Sequence, residues 1–359
     1  MNKVKKDKYF ERYSSIFNRN LEEGIIIAEI GVNHEGDIDK AILMIDEVKE
    51  NGGDAVKFQT YKANLIARKD SKAYWDTSKE KTLSQYELFS KYDKFGEDEF
   101  RKIEDYCKKK SILFMSTPFD TYSAKYINDL SQIHKVASVD ITNHILISQL
   151  ASFNKDIIIS TGASTLKEIN EAVKLIDSES GIMPSLLHCV VNYPTLDKEA
   201  NLLRIKNLKH NFPNNIIGYS DHTLPDETMS VCTQAYNYGA LIIEKHFTYD
   251  KKIEGNDHYH SMDASDLLKL RNNMAKAYIV RGKGDIEPSK NEMPSIIHAR
   301  RSLTAKIFIK KGSIIKKDML IPKRPGNGIS PSKILEVIGK KVKREILQDT
   351  AINWDDLEN

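Results

Sequence analysis

The chain is poor in cysteine, has no long apolar run and carries no excess of charge of one sign. Its three cysteines, Cys107, Cys189 and Cys232, are odd in number and lack metal-type spacing. Both facts argue against a disulfide framework and a cysteine metal site, so reduced, mostly buried thiols are expected. No apolar run approaches the ~18 residues of a membrane span, and none of signal-peptide length stands near the start. A cytoplasmic location is expected. With 54 basic and 51 acidic residues the formal net charge is +3, which points to neither nucleic acid nor a membrane surface as partner. The basic start, Lys3-Val4-Lys5-Lys6, reads as a solvated tail.

What is present suits a soluble globular protein of ordinary composition. Of 359 residues, 40% are hydrophobic and 29% charged, enough for a sizeable core in one large domain and one small one. Short apolar runs recur: Gly24–Gly31, Asp54–Thr60, Ile112–Pro118, His134–Ser138, Asp156–Thr161, Ser185–Val191, Asn215–Ser220 and Ala240–His246. Their lack of strict alternation suits strands covered on both faces, as in a parallel sheet. Helical spacing lies between them at Ile38–Lys49, Asp98–Lys110, Thr165–Ile176, Asp226–Tyr238 and Asp263–Val280. The expected fold is α/β, a (β/α)8 TIM barrel over residues 1–283 that includes an N-terminal extension. A linker follows at 284–295, then a small β-rich domain at 296–359, where Lys311-Gly312, Pro325-Gly326 and Asn327-Gly328 mark turns. The long segment Tyr61–Lys94 reads either as a lid over a site or as a helical excursion without a catalytic part.

In such barrels the site lies at the C-terminal ends of the strands. Those ends carry Glu29, Lys57, Gln59, Ser116, Thr117, Lys135, Ser138, Ser160, Thr161, Asn192, Tyr193, Ser220, Asp221, His222, Glu244, Lys245 and His246. Barrel interiors favour branched apolar side chains, and a lone lysine there is costly without an anion. So many polar groups on one rim make a site. Lysines with hydroxyls suit a small ligand bearing phosphate and carboxylate. Each histidine alone is more often hydrogen-bonded than a ligand. His222 and His246 together, ending adjacent strands, can share one divalent cation and leave positions open for substrate and water.

Seven motifs in order resemble the sialic acid synthase (N-acetylneuraminate synthase) family, with its antifreeze-like (SAF) C-terminal domain. They are AEIGVNHEG (28–36), VKFQT (56–60), STPF (116–119), STGA (160–163), GYSDHT (218–223), EKHFT (244–248) and KRPGNGIS (323–330). The resemblance runs from about Gly24 to the end. It implies condensation of phosphoenolpyruvate with an open-chain N-acyl hexosamine to a nine-carbon 2-keto acid and phosphate. C3 of phosphoenolpyruvate attacks the aldehyde, a metal held by His222 and His246 polarises the aldehyde oxygen, and water at C2 leads to loss of phosphate. The implied cofactor is a divalent metal, Mn2+ or Mg2+.

By the same resemblance, Lys57, Thr117, Lys135, Ser138, Ser160 and Ser220 hold phosphoenolpyruvate, with Gln59 and Asn192 also on substrate. Glu29, Tyr193 and Asp257 meet the sugar hydroxyls or the reacting water. Asp140 keeps, in shorter form, the carboxylate of a Gly-Ser-Gly-Glu stretch that here reads Ala137-Ser138-Val139-Asp140. Arg324 reaches the N-acyl group, from the partner subunit if the homodimer is domain-swapped. Asn192 is shifted by one position, and Gly255–His260 is richer in histidine than typical members; His258 and His260 could touch sugar or metal, and a simple loop role is the favoured reading. Two rivals stay open: a Schiff-base pyruvate aldolase on Lys57, Lys135 or Lys245, and a non-catalytic sugar-binding protein of the same fold. The acceptor alternatives are N-acetylmannosamine and the diacetamido-trideoxy hexoses that give legionaminic or pseudaminic acid.

Overall fold

The computed structural model describes residues 3–75, 77–78, 80–255 and 257–358, with side chains from residue 7 onward. The side chains of the basic start and the whole of Asn256 therefore lie outside the described residues. The chain divides into two compact units, Met1–Gly282 and Lys283–Asn359.

In the first unit all eight expected strands form: β1 (Ile25–Gly31), β2 (Ala55–Thr60), β3 (Leu113–Pro118), β4 (Ile133–Val136), β5 (Asp156–Ser160), β6 (Ser185–Cys189), β7 (Ile217–Asp221) and β8 (Ile242–His246). They make one sheet in the order β3-β2-β1-β8-β7-β6-β5-β4. Every ladder is parallel, and β1 pairs with β8, placing Glu29 beside His246. The first strand pairs with the last, as in a barrel, and β3 and β4, the two ends of this order, lie against each other. Ser138 does not extend β4 as expected; it opens a 3-10 turn, Ser138–Asp140.

Among the described residues, eleven α-helices accompany the strands: α1 (Lys3–Ile16), α2 (Ile38–Glu50), α3 (Ala63–Ile66), α4 (Gln85–Tyr92), α5 (Glu97–Lys110), α6 (Thr121–Leu130), α7 (His144–Ser152), α8 (Leu166–Ser180), α9 (Leu203–Asn211), α10 (Ser230–Asn237) and α11 (Ala264–Arg281). Among the described residues, no helix is long and apolar enough to cross a membrane. α10 begins later than the expected Asp226. That side chain instead accepts the backbone N–H groups of Thr228 at 2.7 Å and Ser230 at 2.9 Å, so it holds the approach to the helix and the helix's first residue from outside it.

The outward residues of the strands, such as Ile26, Ala28, Val56 and Phe58, pack with helix residues including Met44, Ile45, Phe100 and Ile103. The inward residues at the strands' starting ends form a second core with Tyr9, Tyr13 and Phe17. Those three are spaced one helical turn apart on one face of α1 and its extension. Tyr9 Oη lies 3.0 Å from Ser185 Oγ, and Arg12 pairs with Asp156; both partners begin strands. The N-terminal extension is thus a plug in the barrel floor.

In the second unit, β9 (Ser302–Ala305) and β10 (Leu320–Lys323) pair antiparallel. Two short helices, α12 (Met293–Ala299) and α13 (Ile334–Val337), belong to it. Its small core gathers Leu303, Ile309, Ile315, Val337, Val342 and Ile352. The stretch placed as linker runs exposed from residue 284 and turns helical at Met293.

One buried carboxylate ties the first unit's floor together. Asp54 accepts the backbone N–H of Ile26 at 2.8 Å and pairs with both Arg19 and Arg271. Arg271 also donates to the carbonyls of Gly52 and Gly24, at 2.8 and 2.9 Å. Thus β1, the start of β2, the end of the N-terminal extension and α11 meet at a single side chain. Asp54→Asn keeps the shape but removes the counter-charge of two guanidinium groups, and loss of a buried ionic partner costs about 3 kcal/mol or more. The urea midpoint should fall clearly against wild type; an unchanged midpoint would show that this knot is dispensable.

Candidate active site

Side chains of a strand alternate between two faces. On seven of the barrel strands the inward residue is apolar at the floor and polar, or cysteine on β6, two places later. Ile27 is followed by Glu29, Ala55 by Lys57 and Gln59, Met115 by Thr117, and Ile133 by Lys135. Ile158 is followed by Ser160, Leu187 by Cys189, and Ile242 by Glu244 and His246. The first members belong to the floor core, the second line a cavity of about 440 Å³ at the opposite end. Ser220 and His222 join them from β7 and the residue after it.

The cavity floor is a chain of buried charges. Lys57 Nζ pairs with Glu29, donates to Thr117 Oγ1 at 2.9 Å and lies 3.8 Å from Glu244. Lys135 Nζ donates to Ser160 Oγ at 2.8 Å and lies 3.6 Å from Glu244, which accepts Ser220 Oγ at 3.0 Å. Gln59 donates to Glu29 at 3.3 Å. Burial lowers the Lys135 ammonium from its ordinary value, against the pull of Glu244. Burial would raise Glu244, but Lys135 and Lys57 outweigh it and hold this carboxyl below the usual range. Glu29 ends above that range, because burial exceeds what pairing with Lys57 returns.

Asp221 and Lys245 have the opposite parity and point away from the cavity. Lys245 Nζ donates to Asp221 at 2.6 Å and to the Thr223 carbonyl at 2.7 Å. Tyr219 and Thr223 complete the shell of Asp221. Lys245 is thereby a structural cation outside the cavity wall, which removes it as a Schiff-base lysine.

Above the floor stands a cluster of imidazoles. The His222 and His246 ring centroids are 5.4 Å apart, and those of His246 and His260 5.0 Å apart. His222 Nδ1 meets the Val190 carbonyl at 2.8 Å, which fits a proton on Nδ1 and a lone pair on Nε2. His246 Nδ1 lies 3.7 Å and His260 Nε2 4.0 Å from the Asp257 carboxylate. One donor atom each from His246, Asp257 and His260 falls within 4.8 Å of the others. His246 Nδ1 and both nitrogens of His260 are buried with no hydrogen-bond partner, an arrangement that a cation accepting their lone pairs would satisfy. Burial, then the neighbouring imidazoles, hold His246 and His260 well below the ordinary histidine value, so both are neutral bases. Burial pushes Asp257 up to about 7, with Glu29 adding to the rise. These residues fit a divalent metal.

The remaining expected residues divide. Ser138 lines the cavity and accepts the Gly162 N–H at 2.9 Å. A Cβ at Gly162 would stand 2.6 Å from Val191 and 2.9 Å from Ser138 Oγ, so glycine is needed there. Asp140 lines the cavity, its carboxyl raised by burial against a hydrogen bond from Asn143. Tyr193 lines it too, its ring 4.3 Å from His222. Asn192 is not brought in: its side chain is exposed and only its carbonyl is used, accepting Thr195 Oγ1 at 2.9 Å. The neighbouring Val191 and Tyr193 face the cavity instead. Arg324 lies on the second unit, exposed, before a cis bond to Pro325. His258 is engaged with Thr248 Oγ1 at 2.7 Å, in keeping with a loop role; His260, read the same way, belongs to the imidazole cluster. Cys189 lines the cavity unannounced, although the two-residue step from Leu187 marks it. The Tyr61–Lys94 segment forms α3 and α4 and puts Leu65, Ile66, Tyr74, Trp75, Leu88 and Phe89 on the cavity wall, the position of a cover.

The chain matches the model of the NeuB family over residues 44–286 and that of the SAF domain over residues 300–358. It is 38% identical over 340 residues to an uncharacterised protein of Methanocaldococcus jannaschii, covering 94% of this chain and 95% of that one. It is 37% identical over 340 residues to the N,N'-diacetyllegionaminic acid synthase of Legionella pneumophila, covering 93% of this chain and 94% of the relative. Its structure resembles the N-acetylneuraminic acid (sialic acid) synthetase of Leptospira borgpetersenii in complex with citrate. There the TM-score is 0.67 and the identity 33%, over 76% of this chain and 90% of that one. The match spans more than half of the residues and takes in most of the barrel that carries the cavity, and on these grounds the chain belongs to the NeuB family and bears a SAF domain at its C-terminal end.

Proposed function

We propose that the chain condenses phosphoenolpyruvate with an open-chain N-acyl hexosamine, giving a nine-carbon sialic-type 2-keto acid and phosphate. The observation that carries this is the sequestered pair Lys57 and Lys135 beneath a cavity rimmed by Thr117, Ser160 and Ser220 hydroxyls. Two buried ammoniums with convergent hydroxyls complement a compact ligand bearing both phosphate and carboxylate. Lys57 and Lys135 neutralise and orient that ligand, with Ser138 on the same wall. Glu29, Tyr193 and Asp257 face the acceptor hydroxyls or the attacking water, and Asp140 and Gln59 complete the polar lining. His222 and His246 would hold a divalent cation, Mn2+ or Mg2+, which when bound supplies Lewis-acid polarisation of the aldehyde oxygen. Arg324, on the SAF domain, is assigned to the N-acyl group of the acceptor, across a domain-swapped homodimer.

The cover segment favours a particular acceptor within this class. Leu65, Ile66, Leu88 and Phe89, with Phe119 and Val139, give the cavity an apolar wall. A hydroxyl set against such a wall loses its hydrogen bonds, whereas a methyl gains contact. That supports the diacetamido-trideoxy hexose over N-acetylmannosamine, in line with the name of the Legionella relative.

Phosphate release from phosphoenolpyruvate, screened across both acceptors, tests the reading. Release should need an acceptor, stop with excess chelator and return with Mn2+ or Mg2+. No release with any acceptor would overturn it, and borohydride trapping of pyruvate on Lys57 or Lys135 would favour the aldolase. Lys135→Met should raise the apparent KM for phosphoenolpyruvate roughly 10- to 100-fold, the worth of one charge-assisted hydrogen bond, with little change in the acceptor's KM. The same rise for both substrates, or for neither, would remove Lys135 from the anion site. Arg324→Ala should weaken the acceptor by roughly tenfold and leave phosphoenolpyruvate unaffected. In mixed dimers, a barrel truncated before residue 290 should regain activity from a full-length His222→Ala partner. Full activity of the truncated barrel alone would deny Arg324 its part.

A further inference from the structure

His260 stands out among the titratable side chains. It is fully buried and its two ring nitrogens have no partner, although a loop role is the reading that the sequence favours. A buried polar group left without a hydrogen bond costs about 1–3 kcal/mol, so two on one ring call for an explanation. Its neighbours supply one. His260 Nε2 lies 4.0 Å from Asp257 Oδ1, and His246 Nδ1 lies 3.7 Å from Asp257 Oδ2. Neither pair is a hydrogen bond, yet all three donors fall within 4.8 Å of one another. A six-coordinate cation with ligands at about 2.1 Å sets neighbouring donors roughly 3.0 Å apart and opposite ones roughly 4.2 Å apart. The observed separations are wider than the neighbouring value, so the donors would draw together by about 1 Å around an ion.

We infer that His260 is a metal ligand, and that with His246 and Asp257 it forms a two-histidine, one-carboxylate face for the divalent cation. The inference rests on the metal dependence proposed above and changes how the ion is held. The His222–His246 pair supplies two imidazoles from adjacent strand ends. The three-donor face adds a third anchor from the loop between β8 and α11. His246 and Asp257 line the cavity whereas His260 does not. An ion held by these three would therefore border the cavity, where a catalytic rather than a structural site must lie. The set of two imidazoles and one carboxylate suits borderline divalent ions of the first transition row. His222, whose Nδ1 is committed to Val190, stays beside the ion with Nε2 free to join it or to meet substrate.

The test is metal binding by the full-length protein without substrate, so it stands apart from whether the proposed acceptor is right. Mn2+ is titrated into the metal-free protein and free Mn2+ is read by electron paramagnetic resonance; pulsed measurements then count the imidazole nitrogens coupled to bound Mn2+. His260→Gln, close in size, and His260→Ala should each weaken Mn2+ binding by at least tenfold and remove one coupled nitrogen. Thermal melting of the metal-free variants checks that the fold is kept. An unchanged affinity and nitrogen count in His260→Gln, with loss of binding in His222→Ala, would overturn the inference and leave the ion on the His222–His246 pair. Failure of wild type to bind Mn2+ at all would overturn both the inference and the metal dependence, while leaving the anion site formed by Lys57 and Lys135 standing.

Discussion

The arrangement of the catalytic end turns on one constraint: two lysines are buried in a barrel interior. Lys57 and Lys135 cannot be charged there without anions, since the effective penalty for each buried ion is several kcal/mol. Glu29 and Glu244 meet that demand, one from each strand that flanks the β1–β8 seam. Because Glu244 touches both lysines and Ser220 at once, strands β2, β4, β7 and β8 are held in register by a single carboxylate. The price of this polar layer is met below it, where Ile27, Ile158, Leu187 and Ile242 fill the floor. The same two-residue step along each strand produces both layers, which is why the apolar and the chemical halves of the barrel do not mix.

A second pair, Asp221 and Lys245, shows how parity sorts charge into different tasks. Each is a direct chain neighbour of a cavity residue, Ser220 or Glu244, yet a shift of one residue turns its side chain toward the helices. There the pair is enclosed by Tyr219, Thr223 and Cys232 and fixes the strand ends that carry His222 and His246. Residues of one motif thus divide between holding the site and forming it.

Much of this was legible in the sequence. The eight strands announced themselves because a barrel strand is covered on both faces, leaving apolar runs that no surface segment would show. The rim was legible because Lys57 and Lys135 sit inside such runs. Less was legible wherever a decision depended on a neighbour distant in the chain. Lys245 looked as available as Lys57 until its partner Asp221 was in view. Asn192 and Tyr193 are adjacent, and only the course of the loop after β6 decides which one turns inward. His260 read as a loop residue because nothing local shows that Asp257 and His246 converge on it. The N-terminal helix was missed for a different reason: its lysines dominate its composition, while the Tyr9, Tyr13 and Phe17 stripe that docks it is only three residues long.

That helix has a consequence for traffic. With Tyr9, Tyr13 and Phe17 seated among the floor residues, and Arg12 and Tyr9 fastened to the first residues of β5 and β6, the barrel is a cup rather than a tube. A cup has one doorway. On the proposed function, a ligand held deepest, against the lysines, would enter before any occupant above it and leave only after that occupant had gone. The order of arrivals and departures is then a matter of plumbing, set by a plug at the far end from the chemistry.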